Sequence, residues 1–409
     1  MVERLRLSVG RLIDGTSRPP LGEAALLIEG PKIVAIGPEA TVPRPEAART
    51  LDFPKATALP GLIDPHVHVT FSGGEDPLAS LLQESDEDLV VRGAVNAERL
   101  LRSGITTAFD CGARGLTAFR VREAIQRKLV LGPRLLVSGR PVTPSAGHCH
   151  FLGGAADGVA GVRAAVRQLI EAEGADAIKV MATGGTMTAG TDPTTPSYEG
   201  HVLEAAVGET HRLDRWITAH AHGVSGIRAA VNAGFDAIEH ATMLGADGAW
   251  SFDQDLAVEM ARRGTRVVPM LAHGSYMERV RNAILLREAG VTLVPGTDVG
   301  VKRTDFSDEL LNELEAHVAA GTAALDVLRL ASETAARHLG VVAVTGTLEA
   351  GKMADVLVVD GSPDHEIGAL RRPRLVLAEG VPVSPTPAAR PRESSIPLRD
   401  KAEEGLEWR

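Results

Sequence analysis

The length, composition and charge of the chain limit what it can be. Its 409 residues, 44% of them hydrophobic and 23% charged, exceed one ordinary domain and are typical of a globular protein with a large core. The net charge of -10 and the lack of a Lys/Arg run with interleaved aromatic residues exclude a basic face for nucleic acid. Two cysteines, Cys111 and Cys149, make neither a disulfide framework nor a Cys-rich zinc motif.

The N-terminal sequence carries no recognisable targeting signal. Residues 1–7 lack the apolar stretch of a signal peptide, and the sequence contains no run of about 18 apolar residues that could cross a membrane. We therefore expect a cytoplasmic protein that has no membrane partner.

The two ends of the chain predict a small β-module. Residues 1–56 contain short apolar or alternating runs separated by Asp-Gly and Gly-Pro turns, a pattern typical of strands that cannot close a core alone. Similar runs return in residues 339–385. We predict that these two segments together form one β-sandwich, and that residues 386–409, crowded with Pro, Arg, Glu and Ser, form a mobile tail.

Residues 57–338 alternate between strand-like and helix-like segments. Strands are predicted at 59–68, 104–110, 133–138, 176–182, 216–221, 235–241, 266–271 and 291–297, and helices at 87–102, 161–173, 201–213, 224–233, 256–263 and 277–289. Eight strands with helical crossovers favour a closed α/β structure, the (β/α)8 TIM barrel, over a doubly wound sheet of about six strands. Active sites of such barrels lie at the carboxyl ends of the strands.

Polar residues occupy those strand ends. His66 and His68 are one residue apart, so they project to the same face of an extended strand. Further along lie Lys179, His220, His240 and Asp298, on the fourth, fifth, sixth and eighth predicted strands. Taken singly, each has an ordinary explanation, such as a surface histidine, a snorkelling lysine or a turn-capping aspartate. Their common position indicates one site, because independent causes would not select the same end of the barrel.

Six segments carry a resemblance to a known family. They are Leu59-Pro-Gly-Leu-Ile-Asp-Pro-His-Val-His68, Ile178-Lys-Val-Met-Ala-Thr-Gly-Gly185, Ala219-His-Ala-His-Gly223, Ile238-Glu-His-Ala241, Gly296-Thr-Asp298 and Gly351-Lys-Met-Ala-Asp-Val-Leu-Val-Val359. On these segments nearly the whole chain resembles the amidohydrolase superfamily. The closest likeness is to its prolidase-like branch, which hydrolyses dipeptides and N-acyl amino acids, and the chain is also similar to imidazolonepropionases.

The resemblance implies a centre of two divalent metal ions bridged by a carboxylated lysine. One metal would be held by His66, His68, Lys179 and Asp298, and the other by Lys179, His220 and His240. Carboxylation needs a neutral amine, and desolvation in a barrel interior lowers the pKa of a lysine toward that form. Imidazole and carboxylate ligands without a thiolate suit Zn²⁺ best, with Fe²⁺, Mn²⁺ and Co²⁺ as alternatives.

The implied mechanism is attack of a metal-bridging hydroxide on an amide carbonyl, because two cations lower the pKa of a bridging water to about 7. Asp298 is the expected general base and then acid. His222, two residues beyond His220, is expected to steady the oxyanion. A hydrogen bond from His222 to a ligand is an equally open alternative.

Substrate contacts are predicted from three further residues. His148, in Thr143-Pro-Ser-Ala-Gly-His-Cys-His-Phe151, matches a histidine of the family that we expect near the substrate carboxylate. Ala146 and Cys149 depart from the Gly-Gly-His-Gly of relatives, so the pocket is expected to differ. Tyr198 and Tyr276 are the two tyrosines of the chain and are candidates either for substrate contact or for packing.

These features predict a binuclear metal-dependent hydrolase that cleaves an amide bond of a small-molecule substrate, an N-acyl amino acid or a dipeptide. The same metals could serve opening of a cyclic amide, lactam or lactone, or deamination, because substrate-facing loops decide between these reactions. A non-catalytic scaffold on a hydrolase fold is a third possibility, although no ligand is missing. Since oligomers are common among relatives, a homo-oligomer is expected.

Overall fold

The structure is a computed structural model that describes residues 3–273 and 276–386. Its strands in that range are β1 (Arg4–Leu12), β2 (Leu21–Glu29), β3 (Lys32–Pro38), β4 (Arg49–Pro60), β5 (Leu62–Val67), β6 (Ile105–Asp110), β7 (Arg134–Val137), β8 (Ala177–Met181), β9 (Trp216–Gly223), β10 (Ala237–Leu244), β11 (Arg266–Val268), β12 (Val356–Asp360), β13 (Pro373–Ala378) and β14 (Val381–Val383). Its helices are α1 (Pro77–Gln83), α2 (Asp86–Arg102), α3 (Thr117–Gln126), α4 (Gly158–Arg167), α5 (Gly200–Arg212), α6 (Val224–Ala233), α7 (Gln254–Arg263), α8 (Tyr276–Glu288), α9 (Glu309–Ala319), α10 (Ala324–Arg329) and α11 (Ala335–His338). The predicted tail lies outside the described residues apart from its first position, 386.

Strands from both chain ends share one seven-stranded sheet, in the order β14-β13-β12-β4-β1-β2-β3. The link is β4, which pairs in parallel with β1 and antiparallel with β12, so that Leu51 lies opposite Leu7 and Ala58 opposite Val358. The partnership of both chain ends agrees with the sequence prediction. The predicted two-layer sandwich is not confirmed, because the strands join edge to edge in a single sheet. The predicted domain limits stay a prediction.

The predicted barrel region has a TIM-barrel-like α/β arrangement. Strands β5-β6-β7 and β8-β9-β10-β11 form two parallel sheets whose residues are almost all buried, as in parallel sheets covered by helices. Isolated parallel bridges, Val142 with Val180, Val267 with Leu293 and Val67 with Val299, connect their edges. The predicted eighth strand, 291–297, makes only a single bridge, and closure of an eight-stranded barrel is therefore not confirmed.

Two local features explain where the strand predictions differ. The predicted strand 59–68 is divided at Gly61, where a Cβ atom would lie 2.1 Å from the Thr106 hydroxyl oxygen. The segment 291–297 contains Pro295, which has no N–H to donate to a ladder. Beyond it, Thr297 N–H turns to the Asp64 carboxylate instead of a neighbouring backbone carbonyl.

The predicted helices all appear, as α2, α4, α5, α6, α7 and α8. Five of them agree with the prediction within two residues at each end, whereas α4 ends six residues before 173 because a π-helix, Gln168–Ala172, follows it. Helix α2 begins after Ser85, where the sequence supplies a capping box. The Ser85 hydroxyl accepts from Asp88 N–H, and the Asp88 carboxylate accepts from Ser85 N–H. Across the described residues, none of the helices combines the length and the apolar character that a membrane span requires.

Candidate metal centre

A cavity of about 510 Å³ lies at the carboxyl ends of the parallel strands. Among the residues that line it are eight predicted from the sequence: His66, His68, His148, Lys179, His220, His222, His240 and Asp298. Tyr198 is not among the lining residues. Its ring is buried in the core, and its hydroxyl donates to the Ala156 carbonyl at 2.7 Å, so its surroundings support the packing role. The side chain of Tyr276 lies outside the described residues.

The first cluster of potential metal ligands joins β5 to the segment after position 297. Oδ1 of Asp298 lies 3.3 Å from His66 Nε2 and 3.1 Å from His68 Nε2. The backbone is held by a hydrogen bond from Asp298 N–H to the His66 carbonyl at 2.8 Å. Asp298 has a φ of +56°, a conformation that non-glycine residues rarely adopt and that is concentrated at functional sites.

The chemistry of this cluster fits a bound cation. His68 Nδ1 lies 2.8 Å from the Gly112 carbonyl, to which it must donate its proton. In the neutral ring, Nε2 then directs a lone pair at the Asp298 carboxylate. Two electron pairs facing each other are favourable only with a proton or a cation between them. Burial raises the pKa of Asp298, but with protons rather than a cation in these gaps, the charge of His66 and hydrogen bonds from both histidines hold that pKa well below its usual value.

The second cluster consists of His220, His222 and His240, whose ligand nitrogens all lie within 4.8 Å of one another. Burial lowers the pKa of His222 to about 3 and holds the pKa values of His220 and His240 well below their ordinary value. The three rings are therefore neutral imidazoles, the form that binds metals. His240 also has a positive φ, +67°. His222, predicted either to steady the oxyanion or to hydrogen-bond to a ligand, is thus placed as a candidate ligand as well.

Lys179 connects the two clusters electrostatically. Its side chain is buried, and its positive charge acts on His66 in the first cluster and on His220 in the second. Within the described ranges no carboxylate is paired with its ammonium group. A buried, unpaired ammonium is costly, whereas a carbamate between two cations would remove that cost. The environment of Lys179 therefore fits the carboxylated form that the sequence predicts.

His148 stands beside the second cluster. Its ring stacks on His220 with the centroids 4.7 Å apart, and burial lowers its pKa to about 4. No described residue lies within hydrogen-bond distance of its Nδ1. The next residue, Cys149, also lines the cavity, and its N–H donates to the Thr188 hydroxyl. The exposed His150 ring contacts the Gly147 carbonyl.

Sequence reasoning missed Glu239, which is fully buried on β10. Its Oε2 accepts from His66 Nδ1 at 2.6 Å and its Oε1 from the Thr218 hydroxyl at 2.7 Å. Burial would raise the pKa of Glu239, but the charge of His66, followed by that of Lys179, lowers it to about 2. The available signal was a carboxylate next to His240 in an otherwise apolar strand.

Comparison with known proteins identifies the family. The sequence profile described as the amidohydrolase family matches residues 57–388. The chain belongs to the amidohydrolase family. An ochratoxinase from Aspergillus niger is 29% identical to it, over 90% of this chain and 83% of the relative. An imidazolonepropionase from Rhizobium meliloti (strain 1021) is 26% identical, over 83% of this chain and 86% of the relative.

Solved structures agree with this assignment. The structure of a Xaa-Pro dipeptidase with bound methionine in its active site matches 93% of this chain and 100% of its own, with a TM-score of 0.84 and 26% identity. The A. niger ochratoxinase structure covers 95% of this chain and 97% of its own, with a TM-score of 0.81 and 25% identity. This amidohydrolase is therefore a hydrolase that acts on amide C–N bonds. Metals are typical of its family, and its His/Asp clusters could bind one.

Proposed function

We propose that this amidohydrolase is a binuclear metal-dependent enzyme that cleaves the amide bond of a small N-acyl amino acid or dipeptide. The observation that carries the proposal is the pair of ligand clusters, with Lys179 acting on both, along one cavity. The likeness to an ochratoxinase and to a Xaa-Pro dipeptidase with methionine in its active site supports this substrate class.

The ligands divide between two metal positions. His66, His68 and Asp298 would hold one divalent cation, His220 and His240 the other, and carboxylated Lys179 would bridge them. Without a thiolate among these ligands, Zn²⁺ fits best and Fe²⁺, Mn²⁺ or Co²⁺ are alternatives. When bound, the cations supply the Lewis acidity that polarises the scissile carbonyl and makes water nucleophilic near neutral pH.

Asp298 is the residue that transfers a proton from the attacking water to the leaving amine. Its low pKa keeps the carboxylate ionised at neutral pH, and its Oδ1 faces the two histidines of the first cluster. Oδ2 forms no hydrogen bond with the described residues, so it can accept a proton from the attacking water. It then delivers that proton to the nitrogen of the leaving amine.

His222 and His148 contact the substrate. The Thr242 hydroxyl lies 2.7 Å from His222 Nδ1, and if it donates there, the neutral ring carries its proton on Nε2. That N–H can donate to the oxygen that becomes negative during attack. Binding of His222 to the second metal is the alternative that its cluster allows. His148, with its Nδ1 unpartnered, is proposed to receive the substrate carboxylate.

A hydrolysis screen tests the proposed function. The apoprotein and the protein loaded with each divalent metal are assayed against N-acyl amino acids, dipeptides, lactams and lactones. We expect a linear amide to be cleaved, the activity to vanish on chelation and to return with metal, and Lys179→Ala to abolish it while exposed Lys55→Ala does not. Turnover that survives complete metal removal would contradict the proposal.

Opening of a cyclic amide is a second candidate, because an imidazolonepropionase is also similar to this chain. The two reactions need the same metal centre and differ in the substrate that the cavity accepts. A screen in which only lactams or other cyclic amides are hydrolysed would favour this candidate over the linear amide.

A further inference from the structure

Arg279, on α8, lines the cavity beside the metal clusters and was not predicted from the sequence. We propose that its guanidinium binds the carboxylate of the substrate, so that the enzyme selects amides of an apolar amino acid whose carboxylate is free. This inference rests on the proposed function and adds to the neutral ring of His148 a charged partner for the same carboxylate, which determines specificity.

The hydrogen bonds of Arg279 hold its guanidinium in place but use only one of its three nitrogens. Nη1 donates to the carbonyl oxygens of Pro269 and Met270 at 3.2 and 3.3 Å. Nε and Nη2 donate to none of the described residues, and no described carboxylate forms an ion pair with the group. A guanidinium presents its donors as a planar fork that matches a carboxylate in two parallel hydrogen bonds. The backbone carbonyl groups therefore hold Nη1 of Arg279 in place. Nε and Nη2, which can together bind a carboxylate, have no hydrogen-bond acceptor among the described residues.

The neighbours of Arg279 place it next to the reacting groups. Its charge acts on His222 and on Asp298. Arg279 is partly buried, and a cation withdrawn from water without a partner is costly. A substrate carboxylate would remove that cost on binding, whereas a neutral group at the same position would not.

One part of the cavity wall supplies the apolar contact, whereas Glu75, Asp76 and Lys302 make another part of the wall charged. Met181, Met187 and Met270 line the cavity together with Phe71 and Leu152. Methionine side chains adapt to apolar groups of different shape. A free carboxylate at Arg279 and an apolar side chain on this wall together describe an N-acyl derivative or dipeptide of an amino acid such as leucine.

Binding and hydrolysis are tested on matched pairs of compounds. Calorimetry on the metal-loaded enzyme compares L-leucine with L-leucinol, which lacks only the carboxylate, and assays compare N-acetyl-L-leucine with N-acetyl-L-leucinol. In Arg279→Gln we expect leucine affinity and N-acetyl-leucine kcat/KM to fall on the order of 100-fold, with the leucinol compounds changed little. Arg279→Lys keeps the charge but not the fork, and should fall between Arg279→Gln and the natural protein.

The control is Arg281→Gln, which removes a charge from the same helix. Arg281 is exposed, and its guanidinium lies 4.5 Å from the centre of the Trp250 ring, outside the cavity lining. Because each ratio compares two compounds in one preparation, partial misfolding of a variant cannot imitate the expected result. Equal losses for both compounds, no loss in Arg279→Gln, or no preference of the natural protein for leucine over leucinol would overturn the inference.

The two proposals can fail separately. If the metal-loaded enzyme binds leucine through Arg279 but hydrolyses neither acetyl compound, the carboxylate site stands and the proposed function falls. If both acetyl compounds are hydrolysed equally well with and without Arg279, the hydrolase function stands and the role of Arg279 falls.

Discussion

A single buried carboxylate, that of Glu239, orients the proposed metal ligand His66. It accepts from His66 Nδ1 and leaves Nε2 directed at the Asp298 carboxylate. Removing the charge in Glu239→Gln keeps the size of the side chain but weakens this hydrogen bond. We expect metal affinity to fall by about 10- to 100-fold, as is usual for partners of metal-bound histidines. The metal affinity of each protein is measured by competition with a chelator.

The control for that variant is Glu209→Gln, which removes a carboxylate that pairs with Arg167 and Arg212, outside the cavity lining. Its metal affinity should equal that of the natural protein. An equally tight metal in Glu239→Gln would show that Glu239 does not hold His66 for binding.

Gly185 makes room for the ring of His148. A Cβ atom at position 185 would lie 2.5 Å from His148 Nε2, which forces the imidazole to move. We expect Gly185→Ala to reduce kcat/KM for an N-acyl amino acid about as much as His148→Ala does. The double variant should lose little more than either single one, because both changes act on one group.

Gly200→Ala is the matched control, since a Cβ atom there meets nothing within 4 Å. Losses that add fully in the double variant would mean that Gly185 and His148 act independently. The same conclusion would follow if Gly185→Ala left kcat/KM unchanged while His148→Ala lowered it.

The residues of the two candidate ligand clusters could be selected from the sequence because their residue types and their places at strand ends are both local features. Glu239 and Arg279 could not be assigned roles in this way. Glu239 meets His66 across 173 residues of sequence, and the free edge of Arg279 depends on the carbonyl groups of a neighbouring turn. Tyr198 illustrates the reverse case, in which the residue type suggests a ligand contact and the fold buries the side chain in the core.

Helices α4 and α5 are clamped together by Glu209 of α5. Its carboxylate accepts from Arg167 of α4 and from Arg212 within its own helix, each at 2.7 Å. Hydrogen bonds from Arg212 and Arg167 lower the pKa of Glu209 from an ordinary 4.5 to about 2. The folded state thus binds fewer protons than the unfolded state between these values. The stabilisation is complete above about pH 4.5 and is lost as the pH falls toward 2.

Urea denaturation at several pH values tests this clamp. The midpoint of the natural protein should exceed that of Glu209→Gln at pH 6, and the difference should shrink steadily below pH 4.5. A difference between the two proteins that stays constant from pH 6 to pH 3 would rule out the ionised carboxylate as its source.

The secondary-structure elements agree with the sequence prediction where one hydrophobic periodicity dominates a segment. The amphipathic stretches became helices with nearly the expected ends, since burying one face of a helix depends on local spacing. Strand boundaries depend on neighbours that are distant in sequence. Thus β4 runs on to Pro60 because β1 and β12 flank it, and 291–297 loses its ladder because Pro295 lacks an N–H group.

The barrel region and the terminal sheet are joined through Asp355. This buried carboxylate accepts from Arg134 of β7 at 2.9 Å, from the Thr345 hydroxyl at 2.8 Å and from Glu379 N–H at 2.8 Å. In Asp355→Ala the Arg134 guanidinium keeps the more exposed Glu379 carboxylate and a hydrogen bond of 3.4 Å to the Thr107 hydroxyl. We expect a loss of about 3–5 kcal/mol in the free energy of unfolding, measured with urea.

Asp360→Ala removes a carboxylate from the same sheet but from an exposed pair with Arg374. That variant should lose less than about 1 kcal/mol. Equal losses in Asp355→Ala and Asp360→Ala would mean that burial of Asp355 adds nothing to the junction.

The central proposal for this enzyme is a pair of cations bound by side chains from separate strands, with Lys179 between the two cations. Elemental analysis of the purified, active protein measures this directly. We expect two equivalents of divalent metal per chain, and a loss of one or both in Lys179→Ala while Lys55→Ala keeps them. Fully active protein that contains no divalent metal, or unchanged metal content in Lys179→Ala, would contradict it.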